Sequence, residues 1–400
     1  MNLKFGSGKI ESSEKGKKKT TLRQKAIIII GAVLCVVIII FATAYGAFLH
    51  YYNKMNITSL DDDEIVTMID YEEDEINEQD LTEEEKQQLE QLLEETNSTE
   101  ETGEKTGEKA GTQTDKQAAP ESEEDVGSTT KNLSKDVTNI LLLGTDSRLK
   151  GNRRSRTDTM VILSIDKKNK RMTMTSVLRD TYVTIPGVGK NRLNAAFVYG
   201  GANLLFKTFE QNFDIHLDKY VQIDFYNFIS LVDTVGGVDL RLSEAEIKVM
   251  NKSYIPYINE GLKKKRNSYL IKVNSSGQYH LNGVQALAYS RVRYVGHGDF
   301  GRTERQRKVL TQLIKKTKTL SIGEINDLAD IILPMLSTNL KQGEVMSLLL
   351  NAKEYLNYSL VSGRMPIDGS YKYLMIRGAS VLGVNFEKNR KYWYNLVYGK

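Results

Sequence analysis

Carboxylates and arginines gather at the ends of apolar runs in the segment NILLLGTDSRLKGNRRSRTDTMVILSIDKKNKRMTMTSVLRD. The first run ends shortly before Asp146, and the second follows Arg156 and Asp158. The third run ends at Arg179 and Asp180. Because Mg²⁺ prefers carboxylate ligands and guanidinium groups match phosphate oxygens, these residues predict a metal site beside a phosphate site. The alternative is ordinary loop chemistry, since Asp and Arg are common in solvated loops.

A second basic cluster lies in the segment YHLNGVQALAYSRVRYVGHGDFGRTERQRKVLTQLIKK. Arg291 and Arg293 follow a short predicted helix, and in an extended chain both side chains would point the same way. Asp299 is predicted to cap a further helix, on which Arg302 and Gln306 share one face near the N-terminus. Helix N-termini attract anions, so this cluster predicts an anion site, with a solvated basic helix as the alternative.

The elements that must position these residues are alternating strand-like and helix-like runs, which predict an α/β domain from residue 132 to residue 400. Strands are predicted over residues 140–143, 160–165, 172–178, 220–223, 238–240 and 372–376. Helices are predicted over residues 202–213, from an N-cap at Asp224 to Gly236, and over 285–290, 325–336 and 344–355.

The N-terminal part of the chain has the pattern of a membrane anchor. Residues 1–25 are rich in lysine, and residues 26–49 contain no charged side chain. At about 1.5 Å per residue, this uncharged run spans roughly 36 Å, which is enough for a transmembrane helix. A cleaved signal peptide is the alternative, but its apolar core would be shorter. The basic flank predicts a cytoplasmic N-terminus and an extracytoplasmic C-terminal domain, in a single-pass protein of the cell membrane.

Charge divides the chain into a basic head, an acidic spacer and a basic domain, with net charges of +7, −21 and +18 over residues 1–60, 61–131 and 132–400. Residues 50–131 are predicted to be a largely disordered linker, because few of their side chains could form a core. Nucleic acid would suit a basic domain, but the predicted location and the lack of a binding motif argue against it. The single cysteine, Cys35, lies in the predicted anchor, so the domain has no disulfide.

Six ordered motifs within about residues 137–320 resemble the LytR-CpsA-Psr family of Gram-positive bacteria. They are GTDSR with RTDTM, SVLRDTYV, RLNAAFVYGG, FISLVDTVGGVDL, HLNGVQALAYSRVRY and GDFGRTERQ. The resemblance implies a membrane-anchored domain with a central mixed sheet flanked by helices. It also implies transfer of a phospho-glycan, such as teichoic acid or capsule, from a polyprenyl-pyrophosphate carrier to a peptidoglycan hydroxyl. The implied partners are the lipid-linked glycan, peptidoglycan and the membrane, with no nucleic acid.

Matched motif by motif, the resemblance assigns roles to the charged residues. Asp146 and Asp158 would hold Mg²⁺, which Mn²⁺ could replace. Asp158 is the candidate base for the attacking hydroxyl, Asp180 is the reserve, and Arg179 is counted with them as catalytic. The residues that would bind the pyrophosphate are Arg156, Arg179, Arg291, Arg293, Arg302 and Gln306.

A polyprenyl chain requires an apolar groove beside the charged site, because burial is worth roughly 0.8 kcal/mol per CH₂. Candidate side chains on helices next to the motifs are Phe197, Leu205, Phe209 and Phe228, together with Leu204, Phe206, Phe225, Ile229 and Leu231. The alternative for these residues is ordinary core. Two other function classes stay open: a pyrophosphatase with water as the acceptor, and a non-catalytic regulatory or wall-binding protein.

Overall fold

The computed structural model describes residues 45–60, 136–145, 155–272, 275–293 and 295–399. Most of the predicted anchor, most of the predicted linker and Asp146 lie outside the described residues. Among the residues described, no helix combines the length and the apolar character needed to cross a bilayer. The chain divides into two units, residues 1–50 and 51–400, and the strands and helices from Asn56 onward belong to the second.

Within the described residues, a seven-stranded mixed sheet organises the second unit. Its strands are Asn56–Ile57 (β1), Val137–Thr145 (β2), Thr157–Asp166 (β3), Arg171–Val177 (β4), Tyr220–Asp224 (β7), Ser337–Thr338 (β10) and Ser359–Met365 (β11). Their order across the sheet is β1-β10-β7-β2-β3-β4-β11. The consecutive strands β2, β3 and β4 are antiparallel, whereas β7 and β11 run parallel to β2 and β4 respectively.

Other strands form two-stranded antiparallel pairs beside this sheet. The pairs are Tyr182–Ile185 (β5) with Gly189–Arg192 (β6), Val238–Leu242 (β8) with Gly277–Leu281 (β9), and Tyr371–Ile376 (β12) with Ala379–Val384 (β13).

Helices cover the sheet on both faces, as the α/β prediction requires. They are Ala195–Phe213 (α1), Phe225–Thr234 (α2), Glu244–Val249 (α3), Ile255–Gly261 (α4), Gly283–Arg291 (α5), Gly298–Thr317 (α6), Ile322–Ile332 (α7), Gln342–Leu350 (α8), Ala352–Tyr355 (α9) and Phe386–Tyr398 (α10). A π-helical turn, Met250–Tyr254, joins α3 to α4, and a 3-10 turn, Leu333–Met335, follows α7. The α/β fold with a central mixed sheet is confirmed.

Alternation along the central strands explains why both faces of the sheet need helices. Leu141 and Ile162 belong to a core cluster with side chains of α1 and α10. Leu142 and Val161 point to the opposite face, where they line a cavity under α2, α5 and α6. A strand that is apolar on both faces must be covered twice, so the apolar runs in the sequence correspond to the sheet centre.

Helix α1 begins earlier than predicted, at Ala195 rather than at residue 202. Gly200 and Gly201 were expected to precede the helix, but they form a kink inside it, where Gly201 has φ 56° and ψ −154°. Residues with a side chain rarely adopt this backbone conformation, so glycine permits the bend. The predicted cap at the start of α2 is confirmed, because Asp224 accepts a hydrogen bond of 2.7 Å from the Asn227 N–H.

Residues 51–60, predicted to belong to the linker, are bound to the domain. Strand β1 pairs in parallel with β10, and the Thr58 N–H donates to the Thr338 carbonyl at 2.9 Å. The Tyr52 hydroxyl donates to the Leu340 carbonyl at 3.2 Å. This segment therefore extends the sheet, while residues 61–131 of the predicted linker lie outside the described residues.

Candidate functional site

Asp158 lies inside β3, at its second position, rather than in a loop before the strand as predicted. The preceding residue, Thr157, pairs with Thr145 at the end of β2. Thr145 is in turn the residue before Asp146 in the sequence. The immediate neighbours of the two aspartates thus meet at one sheet edge, although Asp146 itself lies outside the described residues.

Arg179 connects the carboxylates of Asp158 and Asp180 at this edge. It follows β4, which is antiparallel to β3, so the end of one strand meets the start of the other. Its guanidinium donates to the Asp158 carboxylate and, at 3.3 Å, to Oδ2 of Asp180. Burial would lower the pKa of Arg179, but Asp158 and Asp180 outweigh burial and raise it. Burial would raise the pKa of Asp158, but the cations of Arg179 and Arg302 lower it overall, so the pair is ionised at neutral pH.

Arg302 and Gln306 lie one turn apart on α6 and are almost fully buried. An Arg302 Nη donates to the Asp158 carbonyl at 3.3 Å and lies 3.2 Å from Oδ1 of Asp299. Burial, followed by the nearby cation of Arg179, lowers the pKa of Arg302 to about 10. Its buried Nε has no hydrogen-bond partner among the described residues. The charge of Arg302 is therefore only partly compensated, which is the electrostatic condition of an anion site.

Arg291 and Arg293 reach the same cluster, but their backbone differs from the predicted extended form. Arg291 is the last residue of α5, and its guanidinium lies 4.7 Å from the ring centroid of Phe225. Arg293 lies just beyond the helix, with Nε 3.2 Å from Oδ1 of Asp299. The charge of Arg291 contributes to lowering the pKa of Asp158, and the charge of Arg293 contributes to lowering the pKa of Arg302, so both arginines add positive potential to the site.

Asp299 does not cap α6 as predicted, because the helix begins at Gly298 and no side chain caps it. Its carboxylate instead pairs with Arg293 and Arg302. Arg192 of β6 lies 3.7 Å from Asp180. Neither Arg192 nor Asp299 was predicted as a site residue. Their positions within the motifs RLNAAFVYGG and GDFGRTERQ, respectively, were the one available signal.

Arg305 has a positioning role that spacing does not reveal. It forms a buried ion pair with Glu246 of α3, with 2.8 Å between Nε and Oε1. Its other nitrogens donate to the carbonyls of Val292 and Val295 at 3.1 and 2.8 Å. Arg305 thereby holds the connection between α5 and α6, which carries Arg293.

Six arginines and three carboxylates form the described part of this cluster, so positive charge is in excess. Burial, followed by repulsion from Arg192 and Arg179, also lowers the pKa of Arg156. The members are Arg156, Arg179, Arg192, Arg291, Arg293, Arg302, Asp158, Asp180 and Asp299. An arrangement of this kind has the charge and the hydrogen-bond donors to bind a multiply charged anion such as a pyrophosphate.

An apolar cavity of about 190 Å³ adjoins the arginine cluster. It lies between the sheet face of β7, β2 and β3 and the helices α2, α5 and α6. Gln306 lines it one turn from Arg302, and Thr159 lines it next to Asp158. The apolar lining is Leu142, Leu143, Val161, Val221, Ile223, Phe225, Phe228, Leu231, Leu287, Val309, Leu310 and Leu336.

The structure corrects three of the four selected lipid-groove residues. Leu205 and Phe209 have no exposed surface and Phe197 is 6% exposed, and all three belong to α1 and pack in the core between that helix and the sheet. Their side of the sheet is opposite to the cavity. Of the selected residues, Phe228 lines the cavity, together with Phe225 and Leu231 of α2.

The donor set is compatible with Mg²⁺ but does not surround a cation by itself. Among the described residues, no three carboxylate, histidine or cysteine side chains converge. Mg²⁺ needs only one or two protein carboxylates when phosphate oxygens complete its shell. Asp158 is ionised, and its neighbour Thr157 pairs with Thr145, the residue before Asp146 in the sequence, so the two carboxylates fit that pattern.

A model of the LytR_cpsA_psr family matches residues 99–397. The chain belongs to the LytR_cpsA_psr family. The LytR_cpsA_psr match extends to residue 397, so it includes nearly all of the last eighty residues, which contain none of the six motifs.

Relatives in the LytR_cpsA_psr family include an enzyme and a protein named as a regulator. The polyisoprenyl-teichoic acid–peptidoglycan teichoic acid transferase TagU of Bacillus cereus is 32% identical over 237 residues, covering 58% of this chain and 70% of TagU. The regulatory protein MsrR of Staphylococcus aureus is 32% identical over 256 residues, covering 63% of this chain and 72% of MsrR. Bacillus subtilis TagT, in a structure bound to LI-WTA, is 26% identical with a TM-score of 0.52, covering 66% of this chain and 92% of TagT.

Proposed function

We propose that this protein transfers a phospho-glycan from a polyprenyl-pyrophosphate carrier to a peptidoglycan hydroxyl. The observation that carries the proposal is the continuity between the arginine cluster and the apolar cavity through Gln306. A lipid-linked pyrophosphate has the matching composition, a dianionic or more highly charged head joined to an apolar chain. The name of TagU, with its polyisoprenyl-teichoic acid donor and peptidoglycan acceptor, supports the same reaction.

In this function, the arginines bind the pyrophosphate and stabilise charge that develops as the bond to the lipid phosphate breaks. Arg302 is buried, Arg179 is partly buried, and Asp299 and Asp158 respectively fix them, so they need little reorganisation during the reaction. Arg156, Arg291 and Arg293 complete the clamp. Phosphoryl transfer of this kind depends mainly on positioning and electrostatics, and no protein nucleophile is required.

Asp158 is the proposed base for the acceptor hydroxyl. Its ion pair with Arg179 keeps it deprotonated at neutral pH and fixes its orientation. The lowered pKa makes it a weak base, so proton transfer would accompany attack on phosphorus rather than precede it. Asp180, on the other side of Arg179, is the reserve candidate.

Mg²⁺, which Mn²⁺ could replace, is proposed to be held by Asp158 and Asp146 and to neutralise charge on the pyrophosphate oxygens. The protein is further proposed to be a single-pass membrane protein with a cytoplasmic N-terminus. This location would bring the domain to lipid-linked donors on the outer face of the membrane.

The test incubates the purified full-length chain with Mg²⁺, a polyprenyl-pyrophosphate-linked teichoic acid precursor and peptidoglycan oligomers. Mass spectrometry should detect a covalent glycan–phosphate–peptidoglycan adduct and released polyprenyl phosphate. Released polyprenyl phosphate without the adduct would indicate the pyrophosphatase, and the absence of both products would favour a regulatory protein. Activity that persists in a chelator would remove the metal from the proposal.

A further inference from the structure

The β12–β13 hairpin, which lies outside the recognised motifs, is attached directly to the charged site. The Leu382 N–H of β13 donates to the Asp180 carbonyl at 2.9 Å, and Leu382 forms a parallel bridge with Thr181. Across the hairpin, Leu382 pairs with Tyr373 of β12. Tyr373 is therefore held directly opposite the residue whose backbone binds Asp180.

Aromatic contacts fix the same face of the hairpin against the start of α6. The ring of Tyr371 lies 4.6 Å from that of Phe300, the neighbour of Asp299. Tyr373, two residues further along β12, shares this face, and its ring is 5.9 Å from that of Tyr371. Yet Tyr373 is 64% exposed, and Met375, next on this face, is 54% exposed. The hairpin thus presents a rigidly supported aromatic surface beside the carboxylates and arginines.

The strand order places this surface and the apolar cavity on different sides of the site. The cavity lies over β7, β2 and β3. The hairpin instead contacts Thr181, which follows β4, and β4 lies next to β3 on the side away from β2. In phosphoryl transfer, the attacking oxygen and the leaving oxygen lie roughly in line on opposite sides of phosphorus. The leaving oxygen belongs to the lipid phosphate on the cavity side, so the acceptor approaches from the side of the hairpin.

We propose that Tyr373, supported by Met375, is a platform on which a sugar ring of the acceptor peptidoglycan strand packs. This inference rests on the proposed function and names its acceptor subsite. A pyranose ring has an apolar face of C–H groups, and a tyrosine ring offers a large contact area with little loss of side-chain entropy. Tyr373 is a specificity-determining residue in this arrangement, since it binds the acceptor away from the reacting phosphorus.

Two sets of kinetics on the full-length chain test the role: the peptidoglycan oligomer is varied at saturating lipid-linked donor, and the donor is varied at saturating oligomer. Tyr373→Ala should raise the acceptor KM about fivefold or more, with kcat and the donor KM nearly unchanged. Tyr373→Trp should retain the wild-type acceptor KM, because it keeps an aromatic surface. Lys372→Ala, on the opposite face of the same strand, is the matched control and should change none of these values.

An unchanged acceptor KM in Tyr373→Ala would overturn the inference, and so would an increase in the donor KM alone, which would assign the ring to the donor glycan. Calorimetric titration of the peptidoglycan oligomer into the protein without donor measures acceptor binding alone. It therefore separates failure of the platform from failure of the proposed transfer reaction. Weaker oligomer binding by Tyr373→Ala would support the platform even if no transfer occurred. Equal binding by both proteins would overturn it.

Discussion

Charge compensation differs among the individual arginines of the cluster. Arg179 contacts two carboxylates, and they raise its pKa despite burial. Burial and the cation of Arg179 instead lower the pKa of Arg302 to about 10. The charge of Arg302 therefore destabilises the folded protein, and an anion bound in the site would offset that cost.

Replacement of Arg302 separates a binding role from a structural one. Arg302→Met keeps most of the side-chain volume and removes a buried, partly compensated charge, so the melting temperature should stay the same or rise. Transfer should fall at least about tenfold, because a charge-assisted contact to phosphate is lost. Calorimetry and the transfer rate measure the two effects. Lys308→Ala, on an exposed part of the same helix, is the control, and a large loss of stability in Arg302→Met would make the residue structural.

The ion pair of Asp158 makes a pH-dependent contribution to stability. The pKa of Asp158 is lower in the folded protein than in the unfolded chain, so its contribution is present above the unfolded pKa of about 4 and is lost as pH falls through the folded pKa. Asp158→Asn should therefore lower the melting temperature at pH 7, and its difference from wild type should shrink as pH falls below about 4. The exposed Asp327→Asn is the control. A difference that stays constant with pH would contradict the ionised pair.

At the scale of elements, helices α1 and α2 show how similar apolar stripes acquire different roles. Phe209 of α1 fills the core on one face of the sheet, and Phe228 of α2 lines the cavity on the other. Helix α6 joins the cavity to the charged cluster because Arg302 and Gln306 occupy successive turns of one face. One helix thus contacts both ends of a lipid pyrophosphate in the proposed complex.

Substitution at these two phenylalanines distinguishes the cavity from the core. For the wild type, affinity for polyprenyl phosphates should rise as isoprene units are added, because each added CH₂ can be buried. Phe228→Asn should weaken long-chain ligands and spare short ones. Phe209→Leu should lower the free energy of unfolding by about 1 kcal/mol or more while leaving the chain-length dependence intact. Equal affinity of the wild type for short and long chains would exclude a lipid site.

Over the whole molecule, the sheet joins segments that are far apart in the chain. Strand β1 pairs with β10, while β11 from the last part of the chain pairs with β4. The last eighty residues consequently complete the domain and carry the hairpin attached to Asp180. Contacts of such long range link residues 51–60, the charged site and strand β11 in one cooperative unit.

Removal of residues 51–60 tests whether this segment belongs to the domain. A protein of residues 61–400 loses the hydrogen bonds of Tyr52, Asn56 and Thr58 to the chain around β10. At about 0.5–1.5 kcal/mol for each of these three bonds, its free energy of unfolding should be about 1.5–4.5 kcal/mol below that of residues 51–400. Urea unfolding of the two proteins measures the difference, and identical curves would show that the segment adds no stability. Exposure of the β10 edge should also increase aggregation.

The sequence by itself determined the α/β class, most of the strands around the site and the residue types that gather there. These properties are local: apolar runs, turns and caps depend on neighbouring residues, and the cap at Asp224 and strand β2 lie where those patterns predict. The motifs also predicted Arg179 and Arg302 as site residues, and the structure brings both to Asp158 although the backbone predicted around Arg291 and Asp299 was wrong.

Only the tertiary structure decided which apolar helix fills the core and which lines the cavity. The central strands are apolar on both faces, so sequence periodicity cannot assign Phe209 and Phe228 to opposite sides of the sheet. It also cannot place Tyr373 beside Asp180 or β1 beside β10, because the partner of a sheet edge is chosen by long-range packing. The physical reason is the same in each case: local propensity determines the type of an element, whereas burial against distant residues determines where that element lies.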